Sequence, residues 1–472
     1  MTLESQQPVR EVRAALEDAP ERIWIVGGTI RDDLLGRSVT DVDLAVEGDP
    51  QAVARRVADA AGGALFALSD EFGSWRSIAP DRSWLCDVSP LQGATIEDDL
   101  AHRDFTVNAM AVPLAGGEIL DPHGGRSDLD AGVLRVLGPQ AYEADPLRAL
   151  RAARLATELP LKLDVETARL TRQAAPRLAD VSAERVFAEL RRIVIAERVL
   201  EGIALAEDLE LVPIVLPELT ALHGVEQSHF HHLDVHDHTL EVLRQQVWLE
   251  DALGEVFPED AERVQAALDE PLANELTRGQ ALRFAALLHD VGKPATRGEL
   301  PDGRVSFIGH DRVGAEMVRQ IFRRLRASER LSQFVAANTR HHLVLGFLVH
   351  ERPLSRRAVY RYLTTTEPVE VEVTLLSCAD RLATRGKNAE PAIKAHLDLA
   401  REVMHDALAW REGGPPELPL RGDELAAEVG IAPGPELGEL LALLREARFA
   451  GEAGTREEAV ELARSLRQNS AT

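Results

Sequence analysis

Apolar and polar positions follow two rhythms along the chain. Over roughly the first 138 residues the apolar positions gather in short runs, split by glycine, aspartate and proline. Residues 22–26 (RIWIV) form one such run and predict a short buried strand ended by Gly27-Gly28. Residues 30–35 predict a helix start, and 40–46 (TDVDLAV) a second strand. An Ala- and Val-rich stretch at 50–61 has helical spacing. Strand-like pieces follow at 64–68, 74–79 and 84–88, then a helix near 95–101. The alternation predicts a small α/β or α+β domain.

From Asp145 to about residue 250 the spacing is almost entirely helical, with Leu147, Leu150, Leu155 and Ala156 on one face. Pro160, Pro176, Pro213 and Pro217 punctuate this stretch. Residues 278–292 and 312–326 predict further helices. The tail, 391–472, is acidic and helical, with a Pro/Gly break at 414–421. No internal repeat is visible.

The chain has 472 residues, which at roughly 150 residues per domain suggests about three domains. No apolar run approaches the roughly 18 residues of a membrane span. The N-terminus has no charged-then-apolar leader pattern, so a cytoplasmic location is expected. Cys86 and Cys378 are the only cysteines, which speaks against a disulfide framework or a cysteine-based zinc site. The formal net charge is -25. Taken as a whole this argues against general nucleic-acid binding, which needs Lys and Arg. Residues 145–198 differ: ten Arg and one Lys face eight acids.

Two carboxylates, Asp41 and Asp43, lie one residue apart on a predicted strand, so both project from one face. They repel unless a cation neutralises them, and hard oxygen ligands favour Mg²⁺. Such a site can activate an attacking hydroxyl and stabilise a leaving pyrophosphate. Upstream, Gly27-Gly28 lets backbone N–H groups approach phosphates closely. Arg31 follows and can pair with a triphosphate. Asp87, in WLCDV, is a third acid on a predicted strand and a candidate for the same set, or else an edge-strand surface acid.

These motifs resemble a known family. GGTIRD (27–32) with DVDLAV (41–46) is similar to the first signature of class II tRNA nucleotidyltransferases and bacterial poly(A) polymerases. EDDLAHRDFTVNAM (97–110), DPHGGRSDL (121–129), ADPLRALRAARLA (144–156) and SAERVFAEL (182–190) resemble the later signatures, in the family's order. The resemblance implies that Asp41 and Asp43 bind catalytic Mg²⁺ and that Gly28 and Arg31 hold the triphosphate. It implies ribose and phosphate contacts for Arg103, Asp104 and Asn108. Asp145 and Arg148 would read the incoming base through its Watson–Crick edge. Arg148, Arg151 and Arg154 recur every three residues along one helix, so that one face can serve both base and phosphates. Two positions depart from the pattern. His102 stands where the family has the first Arg of RRD, and Ala144 where it has the Glu of EDxxR, although Glu143 lies one residue earlier. The segment between Asp87 and Arg103 is short, and family members that build a complete CCA end usually carry a longer flexible loop there. A CC-adding specialist is therefore expected.

A second constellation lies further on. His238, the pair His289-Asp290, His310, His341-His342 and Asp380 fall on or beside predicted helices. Imidazole with carboxylate suits Mn, Fe, Ni, Co or Zn. The order H…HD…H…HH…D resembles the HD superfamily of metal-dependent phosphohydrolases. The resemblance implies core metal ligands at His238, His289, Asp290 and Asp380. It implies further ligands at His310 and at one or both of His341 and His342. Lys293 would stabilise developing charge. Implied substrates are 2′,3′-cyclic phosphates, phosphomonoesters at damaged tRNA ends, or small nucleotides. His229, His231, His232 and His236 crowd just before His238; one of them is a candidate assistant to the metal, the rest polar surface residues near the site mouth.

The expected architecture is α+β and multidomain: a mixed-sheet nucleotidyltransferase head (1–138), a helical neck and body (139–225), an all-α HD domain (226–390) and a helical acidic tail (391–472). The expected partners are the acceptor end of tRNA and CTP, with ATP as the alternative, and no membrane. Competing readings are a full CCA-adding or A-adding enzyme, a poly(A) polymerase, and an HD hydrolase whose head only binds RNA.

Overall fold

The computed structural model describes residues 3–69, 73–227, 233–385 and 389–470. Of the histidines crowded before His238, His229, His231 and His232 lie outside the described residues. By internal contacts the chain divides into two units, Met1–Val215 and Leu216–Thr472. Among the described residues no helix is long and apolar enough to cross a membrane.

The first unit is built on a six-stranded mixed sheet. Helix α1 (Gln7–Ala15) precedes β1 (Arg22–Val26), α2 (Gly28–Leu34), β2 (Asp41–Glu47) and α3 (Pro50–Ala61). Strands β3 (Ala64–Ser69), β4 (Ser74–Ile78) and β5 (Leu85–Pro90), helix α4 (Ile96–Ala101) and β6 (Ala111–Pro113) complete the head. The strand order is β3-β4-β5-β2-β1-β6. Only β2 and β5 run parallel, with Asp41 opposite Leu85 and Asp43 opposite Asp87. The remaining neighbours are antiparallel.

Alternation decides what each face carries. Val42 and Leu44 of β2 and Cys86 and Val88 of β5 are buried, so the intervening Asp41, Asp43 and Asp87 share the other face. Helix α3 is started by Asp49, whose carboxylate accepts from the N–H groups of Gln51 and Ala52, with Pro50 at its first position. It ends at Gly62 in the left-handed region. Its Val53, Ala54, Val57 and Ala58 are buried.

Beyond the sheet come α5 (Arg148–Glu158) and α6 (Ala183–Ile195). The expected face of Leu147, Leu150, Leu155 and Ala156 is buried, and α5 also buries Ala149, Ala152, Ala153 and Arg154.

The second unit is almost wholly helical. Its main helices are α7 (Val235–Asp251), α8 (Arg278–Leu288), α9 (His310–Arg324), α10 (Glu329–His341), α11 (Glu370–Ala383) and α12 (Ala389–Gly413). Thr277 and Gln280 form a capping box at the start of α8. Every residue from Ala281 to Leu288 is buried, so α8 is the centre of this unit. Glu372 is buried in a charge cluster: Arg278 Nε donates to it at 2.5 Å and Arg411 Nη1 at 2.7 Å. The expected boundary at 390/391 cuts through α12, whose Leu399, Ala400, Val403, Met404 and Ala407 are buried. The last three helices, α13 (Gly422–Val429), α14 (Pro435–Phe449) and α15 (Arg456–Ser470), make a small core of their own around Leu425, Leu444, Ala453 and Ala459.

Candidate active sites

In the first unit a cleft of about 520 Å³ is lined by Gly27, Gly28, Arg31, Asp41, Asp43, Asp87, Arg103, Asp104, Asn108, Arg148, Arg151 and Arg154, among others. Of the sequence-selected residues, only Asp145 is not among its lining. The β1–α2 turn approaches the carboxylates closely. The Gly28 N–H donates to Asp43 Oδ2 at 3.2 Å. A Cβ on Gly27, where φ is +63°, would sit 2.9 Å from Arg103 Nη1. Only glycine fits that conformation and that spacing without strain.

The carboxylates repel one another. Burial pushes Asp43 up to about 7, Asp87 adds to this, and Arg103 opposes it. Burial, then Asp87, also raises Asp41. Carboxylates gathered in this way fit a divalent cation.

Around them, charged side chains form a continuous chain. Arg31 is held by both oxygens of Asp32, at 3.0 and 2.9 Å, and donates to Asn108 Oδ1 at 2.6 Å. Asn108 Nδ2 donates to Asp104 Oδ1, and Arg151 to Asp104 Oδ2. Arg151 and Arg154 both turn to Glu189 of α6. Glu158 takes Arg154 and Arg192. Burial would raise Asp104, but Arg151 and Arg148 outweigh it and hold this carboxyl down at about 2. Arg154 is therefore buried among acids rather than presented to solvent.

The two residues expected to read the base are fixed differently. Arg148 donates from Nη1 to the Arg103 carbonyl and from Nη2 to the His102 carbonyl, at 3.0 and 2.9 Å. Asp145 Oδ2 accepts from Arg185 of α6 at 2.7 Å. Sequence reasoning missed Arg76, Arg185, Glu189 and Arg192. Glu189 and Arg185 lie inside the quoted SAERVFAEL motif, but only the tertiary packing shows which residues they meet. Most arginines of the basic stretch already have acidic or carbonyl partners, for instance Arg169 with Glu166 and Arg198 with Glu201.

In the second unit the HD-type residues converge. His289, His310 and His342 each place Nδ1 2.7–2.9 Å from the backbone carbonyl three residues earlier. That contact assigns the proton to Nδ1 and turns the Nε2 lone pair inward. His289 Nε2 lies 3.1 Å from Asp290 Oδ2, His310 Nε2 3.3 Å from Asp290 Oδ1, and His342 Nε2 3.8 Å from Asp290 Oδ1. His238 Nε2 is 3.0 Å from Asp380 Oδ1. The buried His289 Nε2 and both Asp290 oxygens have no hydrogen-bond partner of acceptable geometry. Such a set of inward lone pairs fits one or two divalent cations. Burial, reinforced by the neighbouring His289, lowers His342 to about 3. This keeps it neutral, as a ligand must be.

His341 stays outside this cluster. Consecutive residues at a helix end point about 100° apart, and His342 takes the inward direction. His236 is buried and stacks on His223, with ring centroids 3.5 Å apart. Lys293 Nζ is 2.6 Å from both Asp290 Oδ2 and Gln227 Oε1. Gly292 passes so close to α9 that a Cβ there would lie 2.3 Å from the His310 carbonyl oxygen. The mouth, a cleft of about 580 Å³, includes the exposed Ile308 and Phe347.

Residues 23–135 match the family model described as the poly(A) polymerase head domain. Residues 160–222 match the probable RNA and SrmB-binding site of polymerase A, and 235–385 the HD domain. A relative from Deinococcus radiodurans, named an A-adding tRNA nucleotidyltransferase, is 38% identical over 95% of this chain and 96% of its own length. One from Thermus thermophilus, named a CC-adding tRNA nucleotidyltransferase, is 35% identical over 93% and 92%. A solved structure of the Thermotoga maritima CCA-adding enzyme with tRNA shares the fold, with a TM-score of 0.59 at 21% identity, covering 96% of this chain and 93% of that one.

Proposed function

We propose that this chain, which belongs to the tRNA nucleotidyltransferase and poly(A) polymerase family, adds cytidines to the 3′ end of tRNA from CTP. The observation that carries the reading is the grouping of Asp41, Asp43 and Asp87 beside the Gly27-Gly28 turn. Asp41 and Asp43 would hold Mg²⁺, whose charge would favour loss of the hydroxyl proton and departure of pyrophosphate. Gly28, Arg31 and Arg103 sit where a triphosphate would meet donors. Asn108 and Asp104 orient Arg31 and Arg151 rather than standing free. Asp145 and Arg148 would read the base edge as a carboxylate and a guanidinium, once Arg185 and the His102 and Arg103 carbonyls give them up.

The CC reading is supported by the short path after Asp87. Five residues, 91–95, separate β5 from α4, and Thr95 caps α4 with Asp98 in a capping box. A second reading, addition of the terminal A, is favoured by the name of the D. radiodurans relative. Single-nucleotide extension separates them. Transcripts ending at the discriminator base, at C and at CC are each offered CTP or ATP. Two cytidines and no A support the first reading. A added to CC, with no cytidine added to the shorter ends, supports the second. No addition to any transcript overturns both.

We also assign metal-dependent phosphoester hydrolysis to the second unit. His238, His289, Asp290, His310, His342 and Asp380 would hold Mn, Fe, Ni, Co or Zn, which would supply Lewis-acid activation of water. Lys293 lies against Asp290 and offers positive charge near a phosphate. The test is hydrolysis of a 2′,3′-cyclic nucleotide by the metal-loaded protein. Activity that survives Asp290→Ala would contradict this assignment. The proposed division is 1–138, 139–225, 226–390 and 391–472, with the last junction inside α12.

A further inference from the structure

Arg76 of β4 stands directly across the antiparallel register from Asp87 of β5. Its Nε donates to Asp87 Oδ1 and its Nη2 to Oδ2, both at 2.7 Å. This two-pronged geometry needs a guanidinium and is lost with lysine. On its other side Asp87 is the parallel register partner of Asp43. The strand order thus sets Arg76, Asp87 and Asp43 side by side across three strands. All three line the same cleft as Asp41.

The carboxylates are therefore of two kinds. Among the described residues Asp41 and Asp43 have no ion pair, and after burial the charge of Asp87 works against both. Asp87 has a protein cation on both oxygens and is locked in one orientation. Arg76 offsets part of this carboxylate's charge, and each oxygen keeps a lone pair for a hydroxyl donor.

We propose that Arg76 is a positioning residue for nucleotidyl transfer: it holds Asp87 as the acceptor for the attacking 3′-hydroxyl and leaves Asp41 and Asp43 to the cation. The inference rests on the reading of this cleft as the transfer site. In the step, the hydroxyl O–H bond breaks and its proton passes to an Asp87 oxygen. The hydroxyl oxygen bonds to the α-phosphorus. The bond from that phosphorus to its bridging oxygen breaks, and the electron pair leaves with pyrophosphate. Asp87 then returns the proton to water.

The test uses the full chain and single-turnover CMP incorporation into a tRNA transcript. The variants are Arg76→Gln, Arg76→Lys, Asp87→Asn, the double Arg76→Gln/Asp87→Asn, and Asp41→Ala as the site control. Misplacing a reacting group by about 1 Å costs about 100-fold. Arg76→Gln is therefore expected to slow incorporation by roughly 10- to 100-fold, with KM for CTP and for tRNA near the parent values. Arg76→Lys, which keeps the charge but not the fork, recovers part of the rate. The double variant is no slower than Asp87→Asn alone, because Arg76 acts through Asp87. Parent rates in Arg76→Gln, a loss confined to KM, or a double variant slowed by the product of the single effects would each overturn the proposal. Should Arg76→Gln melt early, Arg76→Lys at the parent melting temperature and full rate overturns it. Activity surviving in Asp41→Ala refutes the site reading instead. A dead Asp41→Ala beside a fully active Arg76→Gln refutes only the role of Arg76.

Discussion

Glu189→Gln tests the ion-pair network behind the cleft. Glu189 is buried between two arginines of α5. Its Oε1 faces Arg151 Nε at 3.3 Å, and its Oε2 accepts from Arg154 Nε. Burial would raise its carboxyl, but Arg154 and Arg151 outweigh this and lower it. Removing one partner of a buried pair costs about 3–5 kcal/mol. Here Arg154 keeps Glu158 and Arg151 keeps Asp104, and glutamine preserves the shape and one acceptor. The expected loss is therefore nearer 2 kcal/mol, the worth of a hydrogen bond to a charged group. For a unit of this size that is roughly 4–8 °C in Tm. Because a two-unit chain need not melt in one step, native-state hydrogen exchange on peptides from α5 and α6 is the assay of choice. Adding Arg154→Met removes a buried cation that has lost one of its two carboxylate partners and should restore about 1 kcal/mol. A Glu189→Gln protein within about 0.5 kcal/mol of its parent would refute the reasoning. So would a double variant that loses the sum of the two single effects.

Further outcomes follow from the same physics. Asp43 is raised in the folded state to about 7, so the folded chain binds a proton that the unfolded chain has released. Metal-free stability therefore falls as pH rises from about 4 to about 7, and Asp43→Asn flattens that fall in urea titrations with EDTA. Asp104 is depressed to about 2 despite its burial, because Arg151 and Arg148 outweigh it. Its contribution, about 2 kcal/mol, is complete above pH 4 and lost as pH falls through about 2; acid unfolding of Asp104→Asn should lack that component. In Gly292→Ala the new Cβ meets the His310 oxygen at 2.3 Å and the Gly314 nitrogen at 2.6 Å. That variant should retain less metal in the second unit, as read by elemental analysis after gel filtration, and retention equal to the parent would refute the close-packing argument.

Local pattern made much of this legible. Strand β1 was readable as RIWIV because every residue after Arg22 is buried, and α3 from its 3.6-residue spacing because it buries one face; each carries its own stop signal at glycine. The Asp41–Asp43 pair was readable because period-two geometry needs no partner strand. The Arg76–Asp87 pair was not, because it depends on the register set by the turn between β4 and β5, where Arg82 adopts φ +60°. The Glu189 network was hidden for a similar reason: Arg151 and Arg154 read as a face for base and phosphates until α6 is laid against them. The run RFAALLHDVGKP reads as helical to 292, yet α8 stops at Leu288. The turn that follows brings His289 and Asp290 to the cluster and lets Gly292 slip beneath α9. Nothing in the sequence told His341 from His342, since the choice is made by the angle at which α10 ends.

Nucleotide addition at Asp41 and Asp43 underlies every other role proposed for the cleft. Labelled CTP, Mg²⁺ and a tRNA transcript lacking its CCA end, given to the parent protein and to Asp41→Ala, test it most directly. The account predicts label on the tRNA with the parent and a loss of about 1,000-fold or more with the variant, as expected when metal and charge stabilisation of the transition state are removed. Incorporation at equal rates by both proteins would contradict it.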